Sequence, residues 1–200
     1  MLLLIDNFDS FSYILADYLR QAGAELKVVR NDVSLEELQK ESYEGLILSP
    51  GPETPDRAGN LLQILEYYQD KLPVLGICLG HQAIGEAFGA KLVKGKVPVH
   101  GKVHEVKKVT EHPLLDGLPD RFKVTRYHSL ELKELPTELQ VLLETDAGEV
   151  MAIAHRFLPM VGIQFHPEAY LTEYGLEMLR NWVRIYVEEK RITTKVELQH

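Results

Sequence analysis

Cys78 is the single cysteine in this chain, and it lies in Gly76-Ile77-Cys78-Leu79-Gly80, with a glycine two residues away on each side. A free cysteine is most often a small buried hydrophobe. It becomes a candidate nucleophile where a histidine and a group to orient it exist elsewhere in the chain. The local pattern points to that second role. Small residues on both sides of a nucleophile permit a sharp strand-to-helix turn that exposes its reactive atom. Here an apolar run precedes Cys78 and a helical pattern follows, so the sulfur is expected at a helix N-terminus, where unpaired N–H groups and the helix dipole favour thiolate. The N–H of Leu79 would then point at a developing oxyanion.

A partner for the sulfur appears in Gly162-Ile163-Gln164-Phe165-His166-Pro167-Glu168. An apolar strand is expected to end at His166, and Pro167 excludes helical φ/ψ at the residue before it. In extended chain, positions two apart share a side, which sets Glu168 beside His166 with its carboxylate fixing the imidazole tautomer. The other seven histidines lack this setting. A metal centre is the competing use of histidine and glutamate, but neither H-x-x-x-H nor clustered Cys/His spacing is read in its support, and no metal is expected. The stretch Ser49-Pro50-Gly51-Pro52-Glu53-Thr54-Pro55 has two readings. It is either a proline-stiffened turn or a loop whose Gly51 brings a bare backbone N–H to the reaction centre.

Positions 51, 78 and 166 can meet only on a scaffold that gathers them. Apolar runs at 2–6, 25–30, 43–50 and 72–78 read as strands, and 10–23, 34–41 and 60–72 read as helices. Ser10 or Asp9 is placed to cap the first helix, with Phe11, Ile14, Leu15, Tyr18 and Leu19 as its apolar stripe; Ser34 opens the second. Strands alternating with helices at this spacing imply βαβ units and a parallel sheet covered on both faces. Strand-like runs then dominate, at 102–109, 121–130, 139–146, 148–156 and 160–167. They either extend the sheet or form an antiparallel layer beside it. A last helix over 172–190 carries Leu176, Leu179, Trp182, Val183 and Tyr186 at helical spacing, read as core packing. The expected fold is α/β, an open and mostly parallel sheet with helices on both faces plus an additional antiparallel strand layer. It forms one domain over residues 1–190, followed by a polar tail at 191–200. Open sheets of this kind bind ligands at the carboxyl ends of their strands, where Cys78 sits.

Bulk composition narrows the function classes. Two hundred residues, 45% hydrophobic and 26% charged, suit one globular domain. Lys and Arg number 22 against 30 Asp and Glu, and the net charge of -8 argues against a nucleic-acid partner. One cysteine cannot form an internal disulfide, and the N-terminal MLLLIDNFD has no basic region and too short an apolar run for a signal or membrane span. A cytoplasmic protein is expected.

Together these segments resemble the class I, triad-type glutamine amidotransferases: GICLGHQ is similar to their nucleophile motif, QFHPE to their His-Glu motif and SPGP to their oxyanion loop. Within that family, IDNFDSFSY at the start, VVRND at 28–32, HGK at 100–102 and RYHSL at 126–130 resemble the amidotransferase subunits of the chorismate-using anthranilate and aminodeoxychorismate synthases. IDNFDSF does not resemble the openings of GMP-synthetase or carbamoyl-phosphate-synthetase amidotransferases. The resemblance runs collinearly from Leu2 to about the last helix. It implies Cys78 as nucleophile, His166 as base and then acid, Glu168 as its orienting group, and Gly51 and Leu79 as oxyanion donors. It further implies that L-glutamine is held by Gly51, Pro52, Glu53, Gln82, Ser129 and Leu130, with no cofactor in this chain. A chorismate-binding synthase subunit is implied as protein partner, facing NFDSF and HGK. The chain departs from the family pattern at Glu53, commonly Gly, and at Ala169, usually Ser. The rival readings are a stand-alone γ-glutamyl hydrolase and a non-catalytic regulatory subunit on the same fold.

Overall fold

Leu2–Asp6 (β1) is buried at every position, and its side chains divide by parity. Leu2 and Leu4 enter one core and Leu3 and Ile5 another, one on each face of the strand. A strand apolar on both faces suits the middle of a parallel sheet. The computed structural model describes residues 1–95 and 100–189 and shows that architecture. After β1 come α1 (Phe11–Gln21), β2 (Leu26–Arg30), α2 (Leu35–Leu38), β3 (Leu46–Leu48), α3 (Leu61–Tyr68), β4 (Val74–Ile77) and α4 (Leu79–Ala87). The second half holds β5 (Lys91–Lys94), β6 (Lys102–Lys108), β7 (Arg121–Arg126), β8 (Leu130–Lys133), β9 (Leu139–Glu144), β10 (Val150–His155), β11 (Met160–Ile163) and α5 (Gly175–Val183). The expected tail at 191–200 lies outside the described residues.

Among the described residues, nine strands form one sheet in the order β2-β1-β3-β4-β11-β10-β9-β6-β7. Pairs from β2 through β11 are parallel, and those from β11 to β7 antiparallel. Of the two arrangements open from the sequence, most later strands therefore extend the sheet. Only β5 and β8 form a separate antiparallel ribbon. Helices α1 and α5 cover one face, through Leu15, Leu19, Leu179 and Trp182. The other face is covered by α3 and α4, through Leu61, Ile64, Leu65, Ala83 and Ile84. Full burial of each such side chain contributes about 1.5–3 kcal/mol, so a few anchor each helix.

Two local expectations change, and the choice between Ser10 and Asp9 at the start of α1 is decided. The buried stripe of α1 is Ser12, Leu15, Ala16 and Leu19, while Ile14 is exposed. Phe11, from the expected stripe, packs on the site described below. Asp9 serves the helix start, its carboxylate accepting the Phe11 N–H at 2.7 Å, whereas Ser10 makes no side-chain cap bond. The run 121–130 is two strands: the chain leaves β7 after Arg126 and β8 begins at Leu130. That break presents Tyr127, His128 and Ser129 to the carboxyl edge of the sheet.

Candidate active site

The nucleophile strand has the other two site segments as its immediate neighbours. Gly76 and Ile77 of β4 pair with Gly162 and Ile163 of β11 on one side, and Gly76 pairs with Leu48 of β3 on the other. The three strands end side by side. Cys78 follows β4, the Ser49–Glu53 loop follows β3, and His166 stands three residues beyond β11. Cys78 occupies the N-cap of α4 with φ 51° and ψ -96°. This is a sparsely populated conformation for a side-chain-bearing residue, with a cost on the order of 1–3 kcal/mol. The flanking glycines make the turn possible. A Cβ on Gly76 would lie 2.4 Å from backbone atoms of Gly80, and one on Gly80 would lie 2.4 Å from the Leu48 carbonyl oxygen. Only bare backbone lets α4 start this close to β3 and β4.

His166 and Glu168 are 2% and 1% exposed, and His166 Nδ1 is 2.8 Å from Glu168 Oε1. The predicted juxtaposition holds, but strand alternation does not produce it. Strand β11 ends at Ile163, and residues 166–169 form a turn in which the Ala169 N–H donates to the His166 carbonyl at 3.2 Å. Pro167 occupies the second turn position, where its fixed φ is at home. The Thr172 hydroxyl donates to the same carbonyl at 2.7 Å and accepts from the Thr125 N–H at 2.9 Å, tying the turn to β7. A Cβ on Gly175 would sit 1.8 Å from the Pro167 carbonyl oxygen, so α5 begins directly against this turn. Phe11 and Tyr127 pack edgewise on the imidazole, with centroids 4.8 and 5.0 Å away. Glu168 Oε2 is buried without a hydrogen-bond partner among the described residues, beside Ala169, where a serine is usual.

With Nδ1 committed to Glu168, Nε2 is the nitrogen left for Cys78. Burial pushes the His166 pKa down, but hydrogen bonds with Cys78 and Glu168, reinforced by their charges, outweigh it and raise the pKa to about 10. An imidazolium beside a sulfur favours the attacking thiolate form.

A cavity of about 150 Å³ opens over the sulfur. It is smaller than the roughly 300–1,000 Å³ of sites for drug-sized ligands, and its scale suits one small molecule. Gly51, Pro52, Glu53, Cys78, Gln82, Ser129 and Leu130 all line it, with Tyr127 and His128. Leu79 is the first residue of α4, so its N–H is among those that a helix start leaves unpaired. Glu53 has φ 62°, in the left-handed region where glycine is at ease, which gives a physical reason for the glycine common at this position. A larger cleft of about 580 Å³, lined by Lys102, Arg126 and Glu131, does not include Cys78 in its lining.

The Tyr127–Leu130 wall is held from behind. Glu149 grips Arg126 through two bonds of 2.8 and 2.9 Å, and Arg126 Nε donates to His128 Nε2 at 3.1 Å. His128 Nδ1 then faces the Leu130 carbonyl at 2.7 Å, the geometry of a neutral ring that donates there. Burial first, and then the Arg126 charge, push the His128 pKa down to about 4, so that tautomer persists at neutral pH.

Sequence reasoning missed several contributors. Gln164 Nε2 approaches Cys78 Sγ at 3.7 Å, and Gln82 Nε2 donates to Gln164 Oε1 at 3.4 Å. The available signal was a glutamine two residues ahead of the histidine at the end of an apolar strand. Of the surface expected to face a partner, Phe8 is 52% exposed and His100, Gly101 and Lys102 are exposed, but Asn7 is buried. His100 and His104 do have H-x-x-x-H spacing, yet His104 lies on a strand, where the spacing gathers no ligands; no group of three or more His, Cys, Asp or Glu among the described residues is placed to hold a metal. No described helix is long and apolar enough to cross a membrane.

Comparison with known proteins agrees with this geometry. Residues 3–185 match the family "Glutamine amidotransferase class-I". The chain is 48% identical over 187 residues to an anthranilate synthase component 2 from Azospirillum brasilense, covering 92% of this chain and 95% of that one. It is 43% identical over 195 residues to the aminodeoxychorismate/anthranilate synthase component 2 of Bacillus subtilis, covering 94% and 98%. Among solved structures, a protein described as a GMP synthase subunit from Thermoplasma acidophilum superposes with TM-score 0.86 at 31% identity, over 96% of each chain. A cysteine on a strained elbow, a buried His-Glu pair in the turn that follows the adjacent strand and a family match over nearly the whole length lead to one conclusion: the chain belongs to the class-I glutamine amidotransferases.

Proposed function

We propose that this chain is the glutamine amidotransferase subunit of an anthranilate synthase, hydrolysing L-glutamine and passing ammonia to a chorismate-binding synthase subunit. The observation that carries the chemistry is the convergence of Cys78, His166–Glu168 and the Gly51 loop at the ends of three adjacent strands. Cys78 Sγ attacks the side-chain amide carbon of glutamine, and the N–H groups of Gly51 and Leu79 take the oxyanion. His166, held through Nδ1 by Glu168, gives its proton to the leaving nitrogen, and ammonia departs. Water, deprotonated by His166, then attacks the γ-glutamyl thioester and releases glutamate with the free sulfur. The balance is glutamine and water to glutamate and ammonia, with no cofactor from this chain. Gln82, Ser129 and Leu130 hold the amino-acid end of the substrate in the cavity.

The pathway rests on the relatives, whose names are those of synthase subunits at 43–48% identity over more than nine-tenths of this chain. A second reading, service to an aminodeoxychorismate synthase, is favoured by the Bacillus subtilis relative, which is named for both activities. Reconstitution separates them: the chain is mixed in turn with each type of synthase subunit plus chorismate, and product is followed with glutamine or with ammonium as nitrogen source. Cys78→Ala is expected to lower glutamine-dependent product by about 10⁴-fold or more while ammonium-dependent product persists. Near-normal glutamine turnover by Cys78→Ala would reject the thioester route. Full glutaminase activity without binding to either synthase subunit would favour a stand-alone hydrolase.

A further inference from the structure

The carboxyl ends of β1, β2 and β3 and the first turn of α1 carry buried polar side chains that the triad does not use. Ser12 and Ser49 are fully buried, and Asn7 and Asn31 are 2% and 5% exposed. They converge on the loop that carries Gly51. The Asn7 N–H donates to Ser49 Oγ at 2.9 Å, and the Asn7 side-chain amide donates to the Ser49 carbonyl at 2.9 Å. Asn31 donates to Asn7 Oδ1 at 3.0 Å, and the Ser12 hydroxyl donates to Ser49 Oγ at 3.0 Å. Ser49 Oγ thus accepts two hydrogen bonds and directs its single proton to the Pro50 carbonyl, 2.8 Å away. A hydroxyl has one proton and two lone pairs, so this arrangement saturates it.

The Pro50 carbonyl and the Gly51 N–H belong to the same peptide unit. That unit is planar and, with no cis bonds among the described residues, trans, so the two groups point in opposite directions. We infer that Ser49 is a positioning residue: by tethering the Pro50 carbonyl, its hydroxyl fixes the direction of the Gly51 N–H and holds the oxyanion donor ready. Asn7 and Ser12 leave Ser49 no other use for its proton. The loop has no room to shift sideways either, since a Cβ on Gly51 would lie 2.5 Å from Asn7 Cβ and 2.6 Å from a Leu79 methyl. A flipped Pro50–Gly51 peptide would lose its tether and turn the donor away from the cavity. The inference rests on the reading of Gly51 as an oxyanion donor.

The test compares Ser49→Ala with Ser12→Ala, since each removes one fully buried hydroxyl but only the first removes the tether. In Ser12→Ala, Ser49 still accepts from Asn7 and donates to Pro50. Glutaminase kcat and KM, thermal melting, and the rate of Cys78 alkylation by iodoacetamide are measured for both. Loss of a whole oxyanion donor costs about 10²–10³-fold, so a misdirected one is expected to lower kcat of Ser49→Ala by at least about tenfold. Ser12→Ala should keep kcat within about twofold at a similar melting temperature, and Ser49→Thr, which retains a hydroxyl, should recover part of the loss. Alkylation builds no oxyanion, so its rate should match wild type in both variants. Wild-type kcat in Ser49→Ala, or a kcat loss matched by an equal alkylation loss, would overturn the tether. Absence of glutamine turnover in the wild-type chain with its synthase partner would instead reject the proposed function.

Discussion

At the scale of single residues, the nucleophile is held in a conformation that its own side chain resists. Cys78 takes φ 51°, a region that costs a residue with a Cβ about 1–2 kcal/mol and glycine almost nothing. Cys78→Gly and Cys78→Ala should both be inactive, and the glycine variant should be the more stable by about 1 kcal/mol in urea unfolding. Equal stabilities, or a more stable alanine variant, would show that the elbow carries no strain. Strain at this position is set by the surroundings: the close packing at Gly76 and Gly80, together with the bond from the Cys78 N–H to the Ile163 carbonyl at 2.8 Å, leaves the turn no relaxed alternative.

Among the elements, α4 carries both the nucleophile turn and the Leu79 N–H, and its approach to β3 sets where they point. Replacing a helical glycine with alanine ordinarily stabilises by about 1 kcal/mol. At Gly80 the sign should reverse, because the new methyl would lie 2.4 Å from the Leu48 carbonyl and 2.7 Å from its Cβ. Overpacking against backbone typically costs about 1–3 kcal/mol, and relief requires α4 to lift away from β3. Gly80→Ala is therefore expected to lower the melting temperature and glutaminase activity together. An unchanged melting temperature would show that α4 and β3 are free to separate. The helix assignments were legible because the apolar period is local. The face that α1 buries was not, because distant segments set it: α1 packs against α5, and Phe11 meets His166 across 155 positions of sequence.

For the whole molecule, the histidines set the pH at which the fold is most stable. Burial pushes His81 down to about 3 and His128 down to about 4, and lowers His112 and His155 as well. Unfolded histidines near 6.5 take up protons that these folded ones refuse, so stability should fall as pH drops from 6.5 toward 4. His166 behaves oppositely, keeping its proton up to about 10, so its contribution is full below 6.5 and is lost as pH rises through 10. A stability maximum near pH 6.5 follows, with a slope of about 1.4 kcal/mol per pH unit for each histidine that titrates differently in the two states. Urea unfolding from pH 4.5 to 9 should show both limbs, and His166→Gln should flatten the alkaline one. A curve rising monotonically to pH 9 would contradict the raised His166 value.

By itself the sequence determined the chemistry and the local frame. Its single cysteine, the glycines that permit the elbow at Cys78, the His-Pro-Glu string and the alternating strand and helix periods all depend on residues close together in the chain. The tertiary structure decided how those pieces face one another. The order β3-β4-β11 brings the Gly51 loop and His166 to either side of Cys78, and strand order depends on pairings between distant segments. The same holds for the polar residues that support the site. Asn7 reads as part of an exposed docking motif until Ser49 and Asn31 close around it, and Gln164 reads as a strand residue until β11 pairs with β4. Their partners lie 24 to 86 positions away. A polar side chain takes its role from the atom it meets in the fold, and no local pattern of residues names that atom.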